Sequence, residues 1–114
     1  MRRLLFAPLI ILFCSLSHGQ NFEIPAFGTD TTFEMITWNI EWFPKNGQTT
    51  MDYVSEIIED LEVDLISMQE LDDTIAFKSM LSGMNNYEGY FKSGYFAGLA
   101  YIYNFGVLEI DTIY

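Results

Sequence analysis

The sequence is poor in the residues that most often carry chemistry. It holds one cysteine, Cys14, and one histidine, His18. Both lie within the first twenty residues, so removal of that stretch would leave no disulfide, thiol nucleophile or zinc cluster. Basic residues are scarce too, with five Lys and Arg against 16 Asp and Glu and a formal net charge of −11. So acidic a chain repels nucleic acid and anionic membranes at long range, because phosphate binding is ordinarily driven by Lys and Arg displacing counterions. Phosphate chemistry on this chain therefore calls for metal ions. Repeats and low-complexity tracts are missing as well. What is present is apolar: 50% hydrophobic and 17% aromatic residues, a composition that packs a core rather than staying disordered. A length of 114 residues allows one domain at most.

The N-terminus reads as a secretory signal peptide over residues 1–19. Arg2 and Arg3 precede an apolar run from Leu4 to Leu16, and Ser17 and Gly19 supply small residues at −3 and −1 of a cleavage site. The run is too short for a hydrocarbon core that needs about 20 helical residues, and Phe13 before Cys14 is wrong for a lipid-anchored form. The expected destination is secreted or periplasmic, with no membrane anchor. Cleavage after Gly19 leaves Lys45, Lys78 and Lys92 as the only basic side chains. Residues 20–32, with Pro25, Gly28 and a Thr-Asp-Thr-Thr stretch, read as a lead-in linker.

From Phe33 to Trp42 the chain alternates, Phe33, Met35 and Thr37 on one side and Glu34, Ile36 and Trp38 on the other, which predicts a strand. Pro44, Asn46 and Gly47 break it. Thr49 or Thr50 is then placed to cap a helix with Met51, Val54, Ile57, Ile58 and Leu61 on one face and Asp52, Glu56, Glu59 and Asp60 facing outward. The apolar stretch Val63–Met68 suits a buried strand, which completes a βαβ unit with parallel strands whose C-terminal ends meet at one sheet edge. Asp72 or Asp73 caps a second helix through Phe77, Met80 and Leu81, with Gly83 as a left-handed terminator. Tyr87–Phe91, Phe96–Tyr103 and Val107–Tyr114 read as an antiparallel meander broken at Ser93-Gly94 and at Asn104-Phe105-Gly106. The last strand stops in mid-pattern, so the chain reads as the N-terminal part of a larger domain.

The βαβ unit brings Asn39 and Glu41, after the first strand, to the same edge as Gln69, Glu70, Asp72 and Asp73, after the second. Ligands of parallel sheets bind at that edge. An amide and a carboxylate are oxygen donors, suited to Mg²⁺ or Mn²⁺ rather than zinc. Spacing alone leaves open a turn-forming Asn39 and a solvated Glu70. Trp38 and Trp42 are each either core aromatics or, if exposed, stacking surfaces for a base or sugar.

The wording Thr37-Trp38-Asn39-Ile40-Glu41-Trp42-Phe43, followed about thirty residues later by Asp64-Leu65-Ile66-Ser67-Met68-Gln69-Glu70, resembles the endonuclease/exonuclease/phosphatase family. Gly98-Leu99-Ala100-Tyr101-Ile102-Tyr103 resembles a later strand of that family. The resemblance implies an α/β fold, the N-terminal portion of a four-layer α/β/β/α sandwich over residues 33–114, and a metal-dependent phosphoesterase, most simply a secreted nuclease. It implies that Glu70 binds Mg²⁺ (or Mn²⁺), that Asn39 positions metal and scissile phosphate, and that Gln69 orients Glu70 or a neighbouring backbone group. Nucleic acid or another phosphoester is the implied partner, gripped through a C-terminal part that this sequence lacks.

The family's Asp-x-Asn and Ser-Asp-His motifs are not found here, and no histidine follows His18. Without an imidazole base to activate water, these residues alone are expected to be inactive. The competing reading is a small acidic secreted binding module for Ca²⁺ or a protein partner. Against it, no D-x-[DN]-x-[DN]-G loop occurs.

Overall fold

A computed structural model describes residues 24–92 and 97–113. The predicted signal peptide with Cys14 and His18, the start of the linker, the Ser93-Gly94 break and Tyr114 lie outside the described residues. Six elements follow in order: β1 (Met35–Phe43), α1 (Gln48–Leu61), β2 (Leu65–Leu71), α2 (Thr74–Ser82), β3 (Tyr87–Lys92) and β4 (Gly98–Asn104).

The strands form one sheet in the order β1-β2-β4-β3. β1 and β2 run parallel, Met35 opposite Leu65 through Asn39 opposite Gln69, with α1 as the crossover expected of a βαβ unit. β4 pairs antiparallel with β2 on one side and β3 on the other. Period-two alternation divides the sheet into two unlike faces. Ile36, Trp38 and Ile40 of β1, Ile66 and Met68 of β2 and Ala100 and Ile102 of β4 turn toward the helices. There Ile66, Met68, Ala100 and Ile102 join Met51, Val54 and Ile58 of α1 and Phe77 and Met80 of α2 in one buried cluster, with the β1 residues half-buried against it. The opposite face carries Met35, Tyr90, Leu99 and Tyr101, all exposed. The architecture is mixed α/β, a helix layer on a sheet layer, and these are two layers of the sandwich that the resemblance implies.

α1 has the expected apolar stripe, with Met51, Val54 and Ile58 buried. Its start differs from expectation, since neither threonine caps it. The helix begins at Gln48 behind Gly47, which takes φ +59 and makes no side-chain cap, a conformation that glycine adopts freely. The Thr50 hydroxyl instead accepts from Asn46 N at 3.1 Å. α2 is capped as expected. The Asp73 carboxylate accepts from Ile75 N at 2.8 Å and Ala76 N at 2.9 Å, satisfying two of the free amides of the first turn. Gly83 ends the helix, but at φ −94 and ψ −9 rather than left-handed. Its amide and that of Met84 bond back to Met80 O and Leu81 O within a tightened last turn.

The meander is shorter than expected. β3 and β4 form, but residues 105–107 turn, with Val107 N and Leu108 N donating to Asn104 O, and 108–113 run as coil. A β-prone stretch becomes a strand only where a neighbouring edge offers it a ladder, and β4 already pairs on both sides. The lead-in is tied to α1 at two points, Phe27 N donating to Leu61 O at 2.9 Å and Ile24 N to Asp60 Oδ2 at 3.4 Å.

Candidate active site

Parallel pairing brings the ends of β1 and β2 to one edge, yet regular alternation would not bring Asn39 and Glu70 together. Asn39 stands opposite Gln69, so those two share a face and Glu70 belongs to the other. The pairing breaks at this point. Phe43 is the next β1 residue in register and stands opposite Leu71, so residues 40–42 answer Glu70 alone. On the other side Gln69 pairs with Leu99 and Leu71 with Gly98, which leaves Glu70 without a partner on β4. Glu70 is thus the extra residue of a bulge, at φ +63. Bulges commonly re-aim side chains beside active sites.

The re-aimed carboxylate meets the amide. Asn39 Nδ2 donates to Glu70 Oε1 at 2.7 Å, and Glu41 N donates to Asn39 Oδ1 at 3.1 Å. The second bond sets the amide's orientation, because only its carbonyl oxygen accepts and only its nitrogen is left to donate. Glu41 and Trp42 sit at φ +50 and +61. Left-handed backbone costs a non-glycine residue about 1–2 kcal/mol, so one member of this pair and two residues beside it are strained. Such strain persists only where surrounding structure imposes it, and it gathers at functional sites.

Lys45 Nζ donates to Glu41 Oε1 at 2.8 Å, an i,i+4 pair on the surface. That hydrogen bond and the lysine's charge hold the Glu41 carboxyl below its ordinary pKa. Asp73 is engaged as the α2 cap. Asp72 N and Asp73 N both donate to Phe43 O, closing the end of β1 against the start of α2. Gln69 turns away from Glu70, its amide donating to Thr37 Oγ1 at 3.0 Å and to Ser67 O at 3.2 Å. Of the two tryptophans, Trp38 packs half-buried against the core, while Trp42 is 49% exposed.

The donor chemistry fits Mg²⁺ or Mn²⁺. Among the described residues no group of three or more His, Cys, Asp and Glu side chains is placed to enclose a metal. Mg²⁺ is usually held by one or two carboxylates and keeps several of its waters, and a single oriented carboxylate beside an amide matches that donor chemistry. A cavity of about 610 Å³ lies at the opposite end of the sheet, lined by Gly28, Glu34, Glu59, Glu62, Asp64 and Tyr87 among others. Its carboxylates repel phosphate, and its two buried ones are consumed by structure. Asp64 Oδ2 accepts from Glu34 N at 2.8 Å, and Glu34 Oε1 accepts from Thr29 N and the Thr32 hydroxyl.

Sequence reasoning placed Asn39 and Glu70 at one edge but missed the backbone of Glu41 and Trp42 and the lysine that neutralises Glu41. The only signal for them was local, the crowding of Asn39, Glu41 and Trp42 ahead of Pro44. A sequence model of the Endonuclease/Exonuclease/phosphatase family matches residues 36–113. No curated protein and no solved structure matches the chain.

Proposed function

The chain belongs to the endonuclease/exonuclease/phosphatase family, and from that premise we propose that it supplies the metal-holding part of a secreted, Mg²⁺- or Mn²⁺-dependent phosphoesterase of the nuclease type, with Asn39 and Glu70 at its site. Members of the family are in general hydrolases of phosphoester bonds that depend on a divalent metal. The observation that carries the reading is the Asn39–Glu70 hydrogen bond of 2.7 Å, made at the sheet edge where parallel strands present ligands.

The carboxylate of Glu70 holds the cation, and Asn39 fixes that carboxylate while adding no negative charge beside a phosphate. When bound, the cation polarises a phosphoryl oxygen and offsets charge that develops on it. Lys45 keeps the charge of Glu41 compensated near the site. The acidic surface makes the metal the sole source of strong attraction for phosphate. With no histidine after His18, the 114 residues bind metal and phosphate without turning substrate over. Secretion rests on Arg2, Arg3 and the apolar run behind them; among the described residues no helix is long and apolar enough to cross a membrane.

The test is binding of Mn²⁺, read by electron paramagnetic resonance, together with binding of inorganic phosphate with and without the metal. Glu70→Ala is expected to weaken Mn²⁺ at least tenfold and to remove the metal-dependent part of phosphate binding. Unchanged Mn²⁺ affinity in Glu70→Ala would remove Glu70 from the site.

A further inference from the structure

We propose that Trp42 is the platform on which a nucleobase of the substrate stacks, an inference that rests on the phosphoesterase reading of Asn39 and Glu70 and narrows its nucleic-acid substrate to one that presents an unpaired base. Trp42 lies in sequence between Glu41, whose amide bonds Asn39, and Phe43, which pairs with Leu71 beside Glu70. It is therefore adjacent in sequence to a residue that holds Asn39 and to one paired beside Glu70.

Two features of Trp42 run against its own stability. Its indole is 49% exposed, whereas Phe43 next to it is fully buried. Its backbone stands at φ +61 directly after Glu41 at φ +50, a conformation rare for a bulky side chain. An isolated exposed aromatic needs no explanation. An exposed tryptophan held by strained backbone at the metal-binding edge does, and strain of this kind concentrates at ligand clamps and active sites. Trp38 shows the alternative, since its ordinary strand conformation lets it pack against the core.

The charge balance supplies an independent reason. Between Gly19 and Tyr114 only Lys45, Lys78 and Lys92 are basic, and Lys45 is bonded to Glu41. A nucleotide chain cannot be gripped here by lysines along its phosphates. Stacking on an aromatic ring is insensitive to charge and to base identity, and it contributes roughly tenfold to a hundredfold in affinity per base. An unpaired nucleotide offers the required exposed π-face, whereas a base within a duplex does not.

The experiment uses the full chain carrying Trp38→Phe, which leaves Trp42 as its only indole, in the presence of Mn²⁺. Thymidine 5′-monophosphate is expected to quench Trp42 emission saturably, and ribose 5-phosphate to leave it unchanged. By calorimetry on the otherwise unmodified chain, Trp42→Ala is expected to weaken the nucleotide about tenfold and leave ribose 5-phosphate unaffected, with Trp42→Phe retaining most of the affinity. Equal binding of the two phosphates without quenching, no nucleotide binding at millimolar concentration, or nucleotide affinity untouched in Trp42→Ala would each overturn the platform. Should Trp42→Ala fail to fold, the emission of Trp42 itself and the Trp42→Phe variant still decide. Mn²⁺ held through Glu70 without quenching discards the platform and leaves the phosphoesterase reading standing. Quenching without Mn²⁺ binding at Glu70 keeps the platform and discards that reading.

Discussion

Asn39 Nδ2 and Glu70 Oε1 stand 2.7 Å apart, although strand alternation assigns the two residues to opposite faces of the sheet. The pair exists because Glu70 drops out of the ladder on both sides of β2. The amide then holds one carboxylate oxygen while Glu41 N holds the amide, and the orientation of the carboxylate is set from two positions on β1.

Asn39→Ala is expected to weaken Mn²⁺ by about tenfold to a hundredfold, the usual cost of removing a partner that orients a metal ligand. Stability should change little, because the bond is solvent-exposed. Asn39→Asp sets a second carboxylate against that of Glu70, where the two repel each other unless a cation lies between them. Mn²⁺ titrations of the wild type and both variants at pH 5 and pH 7 read these effects. Asn39→Ala with undiminished affinity would show that the amide orients nothing.

Glu62 and Glu70 both occupy the left-handed region, at φ +53 and +63, but for different reasons. Glu62 closes the C-terminus of α1, where glycine is the usual residue. Glu62→Gly is expected to stabilise the protein by about 0.5–1 kcal/mol in urea denaturation without altering Mn²⁺ binding. Glu70→Gly should stabilise by a similar amount and abolish the metal. Glu70→Ala, which keeps the β-carbon, should lose the metal with no gain in stability.

Tyr87 is buried and its hydroxyl donates to Val63 O at 3.1 Å. Burial, followed by the negative charges of Glu62, Asp64 and Glu59, pushes its pKa up to about 12. A raised folded-state value means that this stabilisation is fully present below the unfolded value near 10 and is lost as pH rises toward 12. Stability should therefore fall across that interval, and Tyr87→Phe should flatten the fall while costing about 1 kcal/mol at neutral pH. Chemical denaturation at pH 8, 10 and 11.5 separates the two effects. An equal slope in the wild type and Tyr87→Phe would exclude Tyr87 as the source.

Gly98 stands where β4 meets the bulge. A β-carbon there would lie 2.5 Å from the Phe91 ring and 2.8 Å from Leu71 O. The ring end can shift, but the backbone oxygen beside Glu70 cannot move without opening the ladder. Gly98→Ala is expected to cost roughly 1–3 kcal/mol, the range for overpacked interiors, and to weaken Mn²⁺ as well by disturbing the bulge. A thermal melt and a Mn²⁺ titration report the two losses, and a variant that melts as the wild type does would show that the strands have room to spare.

Local pattern carries much of this molecule. The alternation of β1, the apolar stripe of α1, a cap for α2 at Asp72 or Asp73 and its end at Gly83 are all readable along the chain, because each depends on neighbours within a turn or two. The family wording around Asn39 and Glu70 is equally local, and it reaches the family that the match over residues 36–113 shows. What was less legible depends on partners far away in sequence. Thr50 looks like a cap, but the turn at Gly47 starts the helix early and the hydroxyl bonds Asn46 instead. Val107–Ile113 has strand composition, but β4 is flanked by β2 and β3 and has no free edge to offer.

The sequence by itself thus determined which residues reach the edge of the sheet: the amides Asn39 and Gln69 and the acids Glu41, Glu70, Asp72 and Asp73. Only the tertiary structure decided that Asn39 and Glu70 meet and that Trp42 stays exposed while Trp38 packs half-buried against the core. The physical reason is that side-chain direction in a strand has period two only while the ladder is unbroken. The break at Glu70 arises from a mismatch in residue count with β1 and β4, and that mismatch appears only when all three strands are paired.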